Sequence, residues 1–187
     1  EESRFQRLIW CNDIALGGSH HVNACIHSID GVLWVLGKRP TSAMGFSHIV
    51  RDNPHSDSHD VIAVSYAFAD GLVWDHCGRH LNNLFPFESG ALIHGTTGFA
   101  QVSYGGRVQL KGRENGYSGE VVNLYEAGPV RNIADFYRNV TEGRFENSTV
   151  PRAVDGVLTT ILSREATMRR TRLTMDEVIR ENRRLDV

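Results

Sequence analysis

The sequence has no excess of either charge, no long apolar run and no paired cysteines, and each absence removes a class of function. Lys and Arg number 20 against 22 Asp and Glu, a net charge of −2, whereas a nucleic-acid partner demands clustered cations to meet its phosphates. The one basic cluster, at 164–172, falls in a helical pattern and reads as a solvated face. Apolar runs such as 31–37 are too short to span a bilayer. Cys11, Cys25 and Cys77 are odd in number and show no CxxC spacing. They give neither a disulfide framework nor a zinc knuckle, and make a reducing, cytoplasmic compartment the default. The first ten residues have neither an initiator Met nor the basic-then-apolar layout of a signal peptide. The chain therefore reads as a fragment or a processed product, which leaves an exported origin open.

Catalytic fingerprints are also missing. No GxGxxG lies between a strand and a helix, and there is no P-loop and no GxSxG elbow. This chain by itself is not expected to hold a dinucleotide. The nine histidines invite a metal-site reading, but His55-Ser-Asp57-Ser-His59 follows Asn53-Pro54 in a polar, turn-rich stretch and reads as a solvated loop. His20, His27 and Asp30 lack the i, i+4 histidine pair of HExxH. No metal is expected.

With no repeat and no low-complexity linker, 187 residues of which 41% are hydrophobic read as a single globular domain, 1–187. Three stretches compose it. Ser19 as N-cap, Val22, Cys25/Ile26, Ile29, Val32/Leu33 and Leu36 on one face, and Gly37 as the stop predict a helix over 19–36. Residues 40–112 alternate as strands: Ile62, Val64, Tyr66 and Phe68 point one way, and Asp70-Gly71 turns the chain back into Leu72, Trp74 and His76. Turns at 95–98 and 104–106 extend this to a meander of five or six antiparallel strands. Helices follow through Ile133, Phe136/Tyr137 and Val140, then Val154, Val157/Leu158 and Ile161/Leu162. Thr174 and Glu177 form a capping box for a short last helix. Helices at both ends of antiparallel strands predict an α+β domain, an open sheet with helices on one face. The other face then meets water or a partner.

The first helix is also the most informative about chemistry. His20, Asn23, His27 and Asp30 recur at i, i+3, i+7 and i+10 and form a polar stripe opposite the apolar one. A histidine exchanges protons near neutral pH when a neighbouring polar group fixes its tautomer, so such a stripe suits a site wall; it equally suits an ordinary polar helix face. Trp74, His76, Arg79 and His80 lie at and beyond the end of one strand and suit stacking on and hydrogen bonding to a sugar-like ligand. Trp10, with Asn12 and Asp13, precedes the double glycine and is placed to close the same pocket.

These residues resemble a known pattern. The run from Gly17-Gly18 through Asn23, His27 and Asp30 to Trp34 and Gly37 is similar to the signature of the Gfo/Idh/MocA oxidoreductases: a glycine pair, then a helix carrying DxxxHxxD and ending in WxxG. GTTG at 95–98, the NIADFY helix and the SREA…LTMDEV ending also resemble that family's C-terminal, dihydrodipicolinate-reductase-like domain. The resemblance implies an NAD(P)-dependent enzyme acting on a secondary hydroxyl of a sugar or polyol. Its cofactor is NAD or NADP, bound by an N-terminal Rossmann domain absent from this chain. It implies a carbohydrate-like substrate against this domain and a homo-oligomer through the open sheet face. His27 matches the family's proton-handling histidine, assisted by a Lys of the missing domain, while the nicotinamide takes the hydride. Asn23 stands where the family has Asp, and an amide accepts no proton. His20 then serves as a relay, or Asn23 positions substrate, or the reaction differs. Two alternatives share this pattern: redox-assisted glycoside cleavage with a bound NAD, and a non-catalytic binding or oligomerisation module.

Overall fold

The computed structural model describes residues 9–52, 54 and 56–185; Asn53, His55, Asp186 and the first eight residues, which carry parts of the readings above, lie outside them. The described residues form two units. One combines the chain up to Phe85 with the chain from Arg152 onward; the other is Pro86–Pro151.

The first unit is built on an antiparallel sheet of order β3-β2-β1-β8: β1 (Ser42–His48), β2 (Val61–Ala67), β3 (Val73–Arg79) and β8 (Leu173–Thr174). Asp70-Gly71 turns β2 into β3 as expected, with Gly71 in the left-handed region at φ 85°. Cross-strand rows put Ala43, Tyr66 and Trp74, then Gly45, Val64 and His76, then Ser47, Ile62 and Gly78 on one face. That face is covered by helices. The core joins Ile62, Val64, Tyr66 and Phe68 to Cys25, Ile29 and Leu33 from the first long helix and to Leu162 and Ala166 from a later one. Two glycines set how near these helices come. A Cβ on Gly78 would meet Cys25 Sγ at 2.7 Å, and one on Gly156 would meet Asp30 Oδ1 at 3.2 Å. The opposite sheet face is open, with Phe46 62% and Val73 71% exposed beside Met44 and Cys77.

The helix expected over 19–36 is interrupted. After α1 (Ile14–Gly17) the chain forms α2 (His20–Asn23) and then α3 (Ile26–Leu36). The break is a bulge: the His20 carbonyl accepts from Ala24 N at 3.2 Å and again from Cys25 N at 3.0 Å. The second bond spans five residues, as in a π-turn. Ser19 occupies the N-cap position, but its hydroxyl caps nothing. Gly37 ends α3 at φ 66°, its N–H donating to Leu33 O.

Behind the sheet run two further helices, α5 (Val150–Arg169) and α6 (Met175–Glu181). The apolar pattern over 154–162 describes α5 only partly: Leu162 is buried, while Val154 and Val157 are exposed. Four of its nine buried residues are hydroxylic: Thr159, Thr160, Ser163 and Thr167. Each returns its proton to a carbonyl of its own helix at 2.7–2.8 Å, which satisfies the donor without a distant partner. The capping box of α6 is present, Glu177 N donating to Thr174 Oγ1 and Thr174 N to the Glu177 carboxylate.

The second unit is an antiparallel sheet in chain order: β4 (Gly90–His94), β5 (Gly98–Ser103), β6 (Arg107–Gly112) and β7 (Gly116–Glu120). α4 (Leu124–Thr141) follows and buries none of its residues, so Ile133, Phe136 and Tyr137 are exposed. The architecture is α+β, with the strands divided between two sheets instead of continuing as one meander. The irregular segment 80–89 interrupts the pairing between β3 and β4. No described helix is long and apolar enough to cross a membrane.

Candidate functional site

The double glycine is a structural joint. A Cβ on Gly17 would lie 2.2 Å from Trp10 O, and Gly18 has φ 76°, so the 3-10 turn Ile9–Asn12 folds directly against α1. Asp13 caps α1 by accepting from Leu16 N at 3.0 Å. The described part of the stretch expected as a solvated loop, 56–59, with Asp60 after it, instead stitches this region down. Asp57 accepts from Ile14 N at 2.7 Å, Ser58 Oγ accepts from His20 N at 2.9 Å, and Ser58 N donates to Asn12 O at 3.0 Å. Asp60 is fully buried and accepts from Val50 N, Arg51 N and Arg51 Nε at 2.9–3.0 Å. Burial pushes its carboxyl upward, but the two amides and the guanidinium outweigh that and hold it below its ordinary value.

Above this scaffold the structure gathers histidines. The His20 and His80 rings stack at 4.9 Å with an interplanar angle of 17°. His76, on the covered face of β3, meets Trp74 edge-on at 6.0 Å, and Trp74 stacks on Tyr66 at 4.5 Å. Burial pushes His20 down to about 4, aided by His80 and Arg51; burial alone takes His76 to about 4. Burial also lowers His80, with Arg51 adding to it. At neutral pH the cluster is therefore uncharged, each ring having one donor and one acceptor nitrogen. His76 Nε2 and His80 Nδ1 are buried with no hydrogen-bond partner, as is Ser19 Oγ. Unmet capacity of this kind costs roughly 1–3 kcal/mol per group.

Of the residues selected from sequence, His20, His76 and His80 come together, with Trp74 beside them. Trp10 is half-exposed over Gly17. Arg79 projects from the open face of β3, opposite His76. His27 and Asp30 are exposed on α3, and the Asp30 carboxylate lies beside Gly156 of α5. Asn23, at the end of α2, donates from Nδ2 to Cys11 O at 3.1 Å and Gly17 O at 3.5 Å. Among the described residues no group of three His, Cys, Asp or Glu side chains is placed to hold a metal ion.

His21 was not singled out from sequence, and it is the most deeply buried histidine of the group. Ser163 Oγ donates to Thr160 O at 2.8 Å and so accepts from His21 Nδ1, also at 2.8 Å, which assigns the His21 tautomer. Ser47 Oγ donates to Thr167 Oγ1 at 3.0 Å and so accepts from His59 Nδ1 at 2.6 Å. The available signal was position: His21 is four residues before Cys25, in line with the apolar stripe. Arg164, likewise unselected, donates to Gly18 O at 2.9 Å and pairs with Glu165, tying α5 to the glycine joint.

No family model and no curated protein sequence matches the chain. Solved structures do. An oxidoreductase from Agrobacterium radiobacter, solved with NAD+, L-tartaric acid and magnesium, matches at 16% identity and a TM-score of 0.64, over 93% of this chain and 54% of its own. A levoglucosan dehydrogenase solved with NADH matches at 15% and 0.70, over 89% of this chain and 53% of its own. The WlbA dehydrogenase from Bordetella pertussis, solved with NADH and UDP-GlcNAcA, matches at 14% and 0.66, over 93% of this chain and 50% of its own. The chain thus has the fold of the portion of these enzymes that it covers, and it spans about half their length.

Proposed function

We propose that this chain is the substrate-binding half of an NAD(P)-dependent oxidoreductase that acts on a secondary hydroxyl of a sugar, polyol or related compound. The observation that carries the proposal is the setting of His27. It is exposed in the first turn of α3, beyond the glycine joint and the bulge, in a fold shared with dinucleotide-bound dehydrogenases. Oxidising a hydroxyl requires removal of its proton, and an exposed imidazole can take it up. Asn23 has no site for that proton at neutral pH. His20, His76 and His80, neutral and flanked by Trp74, are the residues assigned to the substrate's hydroxyl groups, with Trp10 proposed to close the site; Arg79, on the open face, is not part of it.

The dinucleotide does not fit this chain's own residues. Among the described residues every strand pair is antiparallel, and no strand leads through a glycine-rich turn into a helix. It would be held by a further segment, for which a Rossmann domain of the same polypeptide is our reading. The exposed Phe46 and Val73 on the open face of β1 and β3 support homo-oligomer formation there; sedimentation of a Phe46→Asp variant as a monomer would test it.

The deciding experiment uses the full-length protein with NAD or NADP and a panel of sugars and polyols. His27→Ala is expected to lose most turnover while still binding cofactor. Unchanged turnover on the preferred substrate rules out the assigned role. Sugar release without net change in the absorbance of reduced nicotinamide would instead favour redox-assisted glycoside cleavage.

A further inference from the structure

We infer that Asn23 acts as a positioning residue for His27, by donating hydrogen bonds that a carboxylate at that place could not make. This rests on the proposed role of His27, but its test does not depend on turnover.

The argument begins with the acceptors. Asn23 Nδ2 faces two backbone carbonyls, Cys11 O at 3.1 Å and Gly17 O at 3.5 Å, one on the 3-10 turn and one at the end of α1. A carbonyl oxygen only accepts, so the group between them must donate. An ionised carboxylate in the same place would set its lone pairs against theirs. The amide is thus matched to its surroundings and is not an inert stand-in for an acid.

What the amide holds is the joint just before the bulge. Gly18 O, next to the Gly17 carbonyl, is gripped from the other side by Arg164 Nη1 at 2.9 Å, and His20 N is held by Ser58. Immediately after Asn23, His20 O takes both Ala24 N and Cys25 N, and α3 starts with a new register. In an uninterrupted helix, residues seven apart lie within about 20° of each other around the axis. His20 and His27 are seven apart, yet one is buried against His80 and the other is exposed. Asn23 anchors the last residue of α2 at the point where the two directions separate. Its amide therefore helps fix where His27 is presented, without touching a reacting atom.

The test is by NMR on the 187-residue chain, with His27 ring nitrogen signals and backbone amides 24–27 as readouts. In the unmodified chain the Asn23 side-chain amide protons are expected to exchange with water at least tenfold slower than those of an exposed Asn such as Asn132. Asn23→Ala is expected to move the His27 ring signals, and Asn23→Asp to move them further, because it adds repulsion to the lost bonds. Asn23→Ser, which keeps one donor, should move them least. Exchange of the Asn23 amide at the exposed rate, a measurement that needs no variant, would overturn the inference. So would His27 signals that stay at the unmodified position in both Asn23→Ala and Asn23→Asp. Failure of the dehydrogenase reading would appear in turnover assays of His27→Ala and leave these spectra unaffected.

Discussion

His20 and His80 stack face to face at 4.9 Å, 60 residues apart in sequence, and Asp60 acts on both as an acid. Asp60 itself is already engaged by Arg51 and two backbone amides. Two imidazolium rings in that arrangement would repel, so the pair is built for the neutral form.

A pH dependence of stability follows. His20 and His76 have folded values of about 4 against an ordinary 6.5. Above 6.5 neither state binds a proton and stability is flat. As pH falls through 6.5 the unfolded chain takes up protons that the folded chain refuses, so stability drops until about 4 and then levels off. Each group removes on the order of 3 kcal/mol across that window. Urea midpoints measured from pH 7.5 to 4.5 should fall steeply, and His76→Phe should flatten the slope. A slope the substitution leaves unchanged would remove His76 from the account.

Ser19 has φ 101° and ψ 169°, a region nearly reserved for glycine, and its buried hydroxyl has no partner. Such backbone costs about 1–3 kcal/mol, against which glycine loses roughly 0.5–1 kcal/mol in chain entropy. Ser19→Gly is therefore expected to stabilise by about 1 kcal/mol, read as a raised melting temperature. Ser19→Ala, which keeps the strain, should gain less; a lower melting temperature for Ser19→Gly contradicts the strain argument.

Gly78 and Cys25 should behave as a coupled pair. Gly78→Ala forces a Cβ to within 2.7 Å of Cys25 Sγ and is expected to cost about 1–3 kcal/mol. Removing the sulfur relieves the clash, so Gly78→Ala with Cys25→Ala should cost less than the sum of the two. A double-mutant cycle by denaturant unfolding measures the coupling, and strict additivity would show that the helix can shift to absorb the new methyl group.

Glu165 is buried among Arg164, Arg169 and Arg183, with contacts of 3.0, 2.7 and 3.3 Å. Burial raises its pKa, but Arg169 and Arg164 outweigh burial and hold it below the ordinary value. Its stabilising share is present above that value and lost as pH falls below it. Glu165→Gln leaves Arg164 buried without its charge partner and is expected to cost about 3–5 kcal/mol at pH 7. Because the pair is little exposed, 1 M salt should recover only a small part of the loss.

Local chemistry was legible in the order of residues. The stripe at Cys25, Ile29, Val32 and Leu33, the Asp70-Gly71 hairpin and the Thr174–Glu177 capping box each involve residues within a few positions of each other, so periodicity and turn preference reveal them. The glycine pair stood out through the family resemblance, and the His27 helix through its periodicity, though as one helix over 19–36. Long-range pairing was not legible. His21 meets Ser163 across 142 residues, Asn12 meets Arg51 across 39, and His20 meets His80 across 60. Each is decided by which surfaces pack, and no local preference encodes it. The bulge after Asn23 belongs to the same class, because its anchors lie on the 3-10 turn and at the glycine joint. The sequence by itself thus determined the elements and the helix that presents His27. Tertiary structure alone decided which histidines are buried and neutral and which face out, since burial and hydrogen-bond partners exist only once distant segments meet.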